Sequence, residues 1–85
     1  METKIGQITH FYDRISVAVL RLTDRLQIGD RVRIRGHTTD FVQDVASIEI
    51  EHQKQDSVGP QDEAALKVIE SVRKGDSLYK IIAEP

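Results

Sequence analysis

The sequence predicts an all-β domain, on two observations. Of its 33 apolar residues, 18 are Ile or Val and 5 are Leu, and β-branched side chains pack well on a pleated sheet. Turn-forming residues also divide the 85 residues into about six pieces of strand length. We therefore expect one domain over residues 1–85, a small closed or nearly closed antiparallel barrel whose closure hides the strand edges. A two-sheet sandwich, which normally needs about 100 residues, is the alternative.

Three strands are predicted in the first half of the chain, over residues 5–10, 15–22 and 31–35. In the third of these, Val32 and Ile34 alternate with arginines, a pattern typical of a half-buried strand. We expect Val32 and Ile34 to lie in the core, together with Val17 and Val19 of the second strand.

The second half predicts one long strand over residues 41–52, a polar loop over 53–63, and two final strands over 64–69 and 77–83. Val45 and Ile48 have opposite parity in the long strand, yet both are apolar. Because a flat strand would expose one of them, we expect a bend or bulge near residues 46–47.

A short pattern, apolar-x-x-Gly-Asp, occurs twice, at residues 26–30 and 72–76, each time directly before a predicted strand. Glycine supplies a backbone angle that other residues avoid, and an aspartate side chain can accept hydrogen bonds from nearby amides. We expect Gly29, Asp30, Gly75 and Asp76 to form structural turns.

Composition and charge exclude several classes of protein. The formal net charge is −2, with +3 over residues 1–37 and −5 over residues 38–85, so the chain lacks the dense positive field of a bulk nucleic-acid binder. Cysteine is absent, which removes disulfides and thiol chemistry. No apolar run approaches the ~20 residues that span a bilayer, and no signal peptide is recognisable. We expect a cytoplasmic protein.

No catalytic or cofactor motif stands out in the sequence. Residues 73–77 contain Lys, Gly and Ser, but not in the order or spacing of a phosphate-binding loop, so we expect no GTP binding by the chain itself. His10, His37 and His52 fall on different predicted elements, which argues against a metal site. The acidic residues around the second-half loop are interpreted as a solvated face. We expect no enzyme activity, no metal and no cofactor.

One group of basic surface residues is a candidate binding site. Arg31, Arg33 and Arg35 share one face of a strand at about 6.6 Å spacing, near that of successive nucleic-acid phosphates, and His37 extends the same edge. These four residues are candidate RNA contacts, provided that neighbouring acids do not neutralise them. The alternative is that the arginines keep a strand soluble and pair with acids on the next strand.

An ordered set of segments carries a family resemblance: residues 5–10, 15–19, 26–36, 45–49 and 72–76. The set resembles the second, β-barrel domain of translational GTPases such as elongation factor Tu and initiation factor 2, and above all the small stand-alone translation elongation factor-like proteins. A similar barrel ends the collagenase-like peptidases, some of which are tied to tRNA modification.

The resemblance implies a barrel of six or seven strands without a GTPase domain. It implies a non-enzymatic module that binds RNA (tRNA or ribosomal) or docks to a translation or tRNA-processing component. The alternative is a protein-interaction adaptor or accessory subunit for a collagenase-like peptidase or a tRNA-modifying enzyme. The sequence leaves the partner and the oligomeric state open.

Overall fold

The structure is a computed structural model that describes residues 1–82, and ten strands account for most of that part. The strands are β1 (Glu2–Tyr12), β2 (Val17–Leu22), β3 (Leu26–Gln27), β4 (Arg31–Arg35), β5 (Asp40–Asp44), β6 (Ile48–Ile50), β7 (Gln53–Gln55), β8 (Ser57–Val58), β9 (Glu63–Lys67) and β10 (Ser77–Ile81). Residues 1–82 contain no helix, and hence none that could cross a membrane. The all-β prediction is confirmed.

Eight of the strands form one antiparallel sheet in the order β5-β4-β10-β1-β2-β9-β6-β7, and β3 pairs with β8 in a second, two-stranded sheet. The prediction of a closed barrel with six or seven strands is wrong in closure and in number. Within residues 1–82 the backbone pairing leaves β5 and β7 at opposite ends of the large sheet. The extra strands come from the segment predicted to be a loop, which contains β7 and β8, and from β3 in the connection before β4.

The long strand predicted over residues 41–52 is divided as expected. β5 ends at Asp44, β6 begins at Ile48, and the two lie far apart in the strand order. Val45 and Ile48 are both buried, so the change of phase does mark a corner at which the chain leaves one part of the sheet for another. The last predicted strand begins at Ser77 as expected, and its final residue, Ala83, lies outside the described residues.

The prediction for β2 places the wrong set of alternate residues in the core. Ala18, Leu20 and Leu22 are buried, whereas Val17 and Val19 are half-buried and face outward. A slip of one residue moves every side chain of a strand to the other face, and here both faces carry apolar residues. Val32 and Ile34 lie in the core as expected.

The centre of the large sheet is β1, the longest strand, which pairs with β10 on one side and with β2 on the other. Its register shifts between Lys4 and Gly6 and again between Ile8 and His10. The first shift changes the phase of the strand, so that Ile5 and Ile8 both reach the core despite their opposite parity.

Three turns of one design precede strands β4, β9 and β10. In each, an aspartate carboxylate accepts a hydrogen bond from the amide of the residue three positions earlier: Asp30 from Gln27 at 2.9 Å, Asp62 from Gly59 at 2.8 Å, and Asp76 from Arg73 at 2.8 Å. Each aspartate amide in turn donates to the carbonyl of that same residue. The structure thus places Gly29–Asp30 and Gly75–Asp76 in turns and adds a third copy at residues 58–62.

In each turn, the residue directly before the aspartate has a positive φ. Gly29 and Gly75 have φ values of 93° and 96°, and Gln61 has 71°. The sequence concealed the third copy because glutamine stands where the other two have glycine. A non-glycine residue in this region costs free energy because its Cβ approaches the backbone.

Each turn also fixes its strand against a neighbour. The amide of the positive-φ residue donates to the carbonyl of a buried residue in a different segment: Gly29 to Val45, Gln61 to Leu22, and Gly75 to Ile8. Asp76 is itself buried beneath the β4–β5 hairpin, where a Cβ at Gly36 would collide with its carboxylate. Gly36 is therefore required there for close packing.

A buried glutamine joins β5 to the end of β9. The Gln43 side-chain amide donates to the Lys67 carbonyl at 2.9 Å and its oxygen accepts from the Ile69 amide at 2.9 Å. With only 6% of its surface exposed, Gln43 satisfies two backbone groups as a paired strand would. The side chain thus links two segments that share no backbone ladder.

The third turn predicts a stabilising substitution. Gln61→Gly should raise the free energy of unfolding by about 0.5–1 kcal/mol, because glycine adopts a positive φ without strain. Gly29→Ala should lower it by about 1–2 kcal/mol, since a Cβ there contacts nothing within 4 Å and the cost is purely conformational. Urea denaturation of both variants checks this, and a destabilised Gln61→Gly variant would contradict it.

Removal of the Gln43 side-chain amide should lower the free energy of unfolding. Gln43→Met keeps the length of the side chain but leaves the Lys67 carbonyl and the Ile69 amide without their partner, so we expect a loss of about 1–3 kcal/mol. The control is Gln55→Met, whose amide makes a single exposed contact of 3.4 Å and whose loss should cost no more than about 0.5 kcal/mol. Equal effects in the two variants would show that the buried bridge is unimportant.

Candidate functional site

A groove of about 840 Å³ crosses the outer face of β2, β9 and β6. Its residues come from these strands and from the turns beside them: Tyr12, Ile15, Val17, Val19, Arg21, Ser47, Glu49, Ile50, Glu51, His52, Gln61, Asp62, Glu63, Ala65 and Lys67. The surface also has a smaller depression, of about 450 Å³, which lies on the β4–β5 hairpin loop and is lined by residues 35–40.

The strand register explains why the surface is concave. Val19 of β2, Ala65 of β9 and Glu49 of β6 form a row across the three strands. Ala65 is the small residue in the middle of this row, so the larger side chains on either side rise above it. In the flanking rows, Val17 pairs with Lys67 and Arg21 pairs with Glu63.

The floor of the groove is apolar. Val17, Val19 and Ala65 are half-buried there, and Ile15 and Tyr12 continue the apolar surface at one end with 58% and 51% of their areas exposed. Tyr12 is held by an edge-on contact with the His10 ring, with the centroids 4.3 Å apart. Polar and charged side chains surround this apolar surface.

The rim of the groove contains strained backbone. In residues 1–82, the non-glycine residues with positive φ are Ser16, Glu51, His52 and Gln61. Three of them line the groove, and Ser16 follows the lining residue Ile15. Glu51 and His52, with φ values of 49° and 66°, form the two-residue β6–β7 turn, where Asn-Gly is the favoured pair. Strain of this kind tends to gather at functional sites.

The sequence offered little sign of this site. Val17 and Val19 are assigned to the core by their type, and Glu49, Glu51 and Glu63 are read as a solvated face. A signal was present in residues 15–22, which are apolar at both parities, since a strand with one face in water needs apolar residues at every second position only.

The predicted arginine stripe lies on the opposite part of the sheet and is largely paired with acids. Arg33 donates two hydrogen bonds to Asp40, at 2.7 and 2.8 Å, and one to Glu2 at 3.1 Å. The Nε atom of Arg31 lies 3.6 Å from Oδ1 of Asp44. Arg33 and Arg31 therefore do not meet the condition set for RNA contacts, that acids leave them free.

The other two predicted contacts remain accessible. Arg35 and His37 are exposed at the β4–β5 hairpin, beside the smaller depression. RNA binding by Arg31, Arg33, Arg35 and His37 stays a prediction. Residues 1–82 contain no group of three His, Asp or Glu side chains that could hold a metal ion.

The ion pairs of Arg33 shift the pKa values of both partners. Hydrogen bonds from the Arg33 guanidinium hold the pKa of Asp40 below its usual value, and the charges of Arg33 and Arg35 act in the same direction. Hydrogen bonds to Asp40 and then to Glu2 raise the pKa of Arg33 above its ordinary value. The cluster is electrostatically satisfied within the chain.

A relative of this chain is found among curated proteins. The chain is 35% identical over 77 residues to an uncharacterized protease of Methanocaldococcus jannaschii. The match covers 89% of this chain and 19% of the relative, so the chain spans about a fifth of that protein's length. No family model matches the sequence.

Solved structures with the same fold include the C-terminal domain of a Geobacillus thermoleovorans protein named a U32 peptidase. The crystal structure of that domain has a TM-score of 0.86 at 18% identity and covers 92% of this chain and 91% of that one. Its selenomethionine variant has a TM-score of 0.85 at 18% identity, covering 89% and 96%. The likeness to these structures shows the fold. Taken with the 35% identical relative, it supports the collagenase-like peptidase part of the resemblance but not the translation-factor part.

The pairing of Arg33 predicts an acid-range effect on Asp40. A carboxylate whose pKa is lowered in the folded state contributes stability above its unfolded pKa of about 3.9. That contribution is lost as the pH falls through the lower, folded pKa. In Arg33→Ala the pKa of Asp40 should rise toward its ordinary value, as followed by NMR of the side-chain carboxyl carbon.

Arg31→Ala is the matched control for this effect. It removes an arginine from the same strand face, but one whose partner is Asp44, so the Asp40 titration should stay as in the unmodified chain. An Asp40 pKa that is unchanged in Arg33→Ala would show that the two hydrogen bonds do not persist in solution.

Proposed function

We propose that this chain is a non-enzymatic binding module that associates with the main body of a U32-type, collagenase-like peptidase. The observation that carries this is the 35% identity over 77 residues to a segment that makes up only 19% of a protease. The matched segment corresponds to nearly all of this chain, and the C-terminal domain of a U32 peptidase has its fold.

The outer groove supports a binding role in particular. It combines an apolar floor, exposed Ile15 and Tyr12, and a rim held by strained backbone. A preformed, partly apolar surface loses little conformational freedom when a partner docks. We place the docking surface for the peptidase body at this groove.

Binding to the Methanocaldococcus jannaschii protease tests the proposal. The partner is prepared in two forms, intact and without its matched 77-residue segment. We expect the chain to bind the shortened form with a Kd of about 10 μM or tighter, in the range of specific transient complexes. The intact form should bind more weakly, because its own segment occupies the contact. The proposal would be overturned if neither the shortened nor the intact protease bound the chain.

RNA handling in the cytoplasm is the second candidate function. Exposed Arg35 and His37 at the β4–β5 hairpin favour it, whereas the acid partners of Arg31 and Arg33 weaken it. RNA affinity should fall steeply with salt if phosphate contacts drive it. The variant with all three arginines replaced by alanine should then lose part of that salt dependence, while a protein-docking module should bind RNA weakly or not at all.

A further inference from the structure

The carboxylates at the groove form no close ion pair within residues 1–82, although Glu63 lies opposite Arg21 and Glu49 lies opposite Lys54 on the neighbouring strands. Within residues 1–82, no ion pair shorter than 4.0 Å and no hydrogen bond involves the side chains of Glu49, Glu51 or Glu63. With Asp62, they make four carboxylates among the lining residues, against two cations, Arg21 and Lys67. On the arginine face, by contrast, Arg31 and Arg33 form ion pairs with acids of the chain.

The width of the groove corresponds to one helix. Its floor spans three strands, and two interstrand spacings of about 4.8 Å give about 10 Å, close to the 10–12 Å diameter of an α-helix with its side chains. Ala65 lowers the middle of this floor, between Val19 and Glu49. A single extended strand would leave part of the floor uncovered.

The apolar and charged groups lie where such a helix would need them. Val17, Val19 and Ala65 form the floor. Among the carboxylates, Glu49 lies in β6, Glu51 in the β6–β7 turn and Glu63 at the start of β9. A helix with apolar residues at i, i+3, i+4 and i+7 would place them on this floor. Lysines or arginines beside that stripe would then reach the carboxylates, because their long side chains extend past the apolar face.

We infer that the groove binds a basic amphipathic helix of the partner protein, with leucine-like residues on the floor and lysine or arginine against the acidic rim. The inference rests on the proposed function for the identity of the partner, but the chemistry of the segment follows from the groove. Charge complementarity of this kind favours specific partners and rapid association. An anionic partner such as RNA would be repelled.

An NMR titration with two matched peptides tests the inference. The first is a capped 16-residue peptide of leucine, alanine and lysine with a leucine stripe at helical spacing, and the second carries glutamate at every lysine position. The isotopically labelled full chain should bind the basic peptide, with the largest amide shifts at Val19, Glu49 and Ala65. The acidic peptide should bind at least about tenfold more weakly.

Charge-reversal variants sharpen the result. Glu49→Lys combined with Glu63→Lys should weaken binding of the basic peptide by about tenfold or more. Glu70 and Asp24 are both exposed and lie outside the groove. Glu70→Lys combined with Asp24→Lys makes the same net change elsewhere and should leave the affinity within about twofold. The amide spectrum of each variant confirms that it is folded.

Three results would overturn the inference. These are equal binding of the two peptides, amide shifts that map to the arginine face, or no saturable binding up to about 1 mM peptide, the weak limit of specific recognition. The peptide experiment needs no peptidase, so it separates the two proposals. A chain that binds the protease body but not the basic peptide retains the proposed function and loses the helix site.

Discussion

The carboxylate-closed turn is the interaction on which this architecture depends. Strands β4, β9 and β10 have five residues each, and two isolated strands of this ordinary length are only marginally stable as a hairpin. Before each of them, an aspartate satisfies an amide that the turn would leave unpaired, and the positive-φ residue donates to the carbonyl of a core residue. The same type of turn therefore precedes each of these strands and holds it beside a neighbouring segment.

The parts of this fold that could be predicted are those in which one physical signal dominates. β4 alternates apolar and charged residues, so the burial of Val32 and Ile34 follows from its sequence alone. The change of phase between Val45 and Ile48 likewise requires a corner. β2 offers no such contrast, because residues 15–22 are apolar at both parities and only the tertiary structure selects the inner face.

The two unpaired ends of the large sheet could not be predicted, for a different reason. The number of predicted strands favours a closed barrel, because closure pairs the backbone N–H and C=O groups that an edge strand leaves exposed. Here the Gln43 amide replaces a ladder between β5 and the end of β9. A glutamine within an otherwise alternating strand gives no indication that it will act as a strand partner.

The electrostatics of the two faces show why a charge stripe alone is a weak guide to function. The spacing of Arg31, Arg33 and Arg35 could be read from the sequence, and so could the acids that meet them. The loop over residues 36–39 places Arg35 opposite Asp40, and the pairing then runs back to Arg31 and Asp44. Counting across the hairpin places acids opposite Arg31 and Arg35, whereas Arg33 lies opposite Val42 and reaches Asp40 diagonally.

The turn before β9 connects the architecture of the chain to its candidate site. Of the three aspartate-closed turns, the two distant from the groove have glycine at the strained position, whereas the one that lines the groove has Gln61. The backbone demand is alike in all three, so glycine would serve the fold better at residue 61. The Gln61 side chain lies at the groove despite that cost, as do the side chains of the strained Glu51–His52 turn. The strain thus falls where the groove needs a defined rim, while the strands beneath it keep their ordinary geometry.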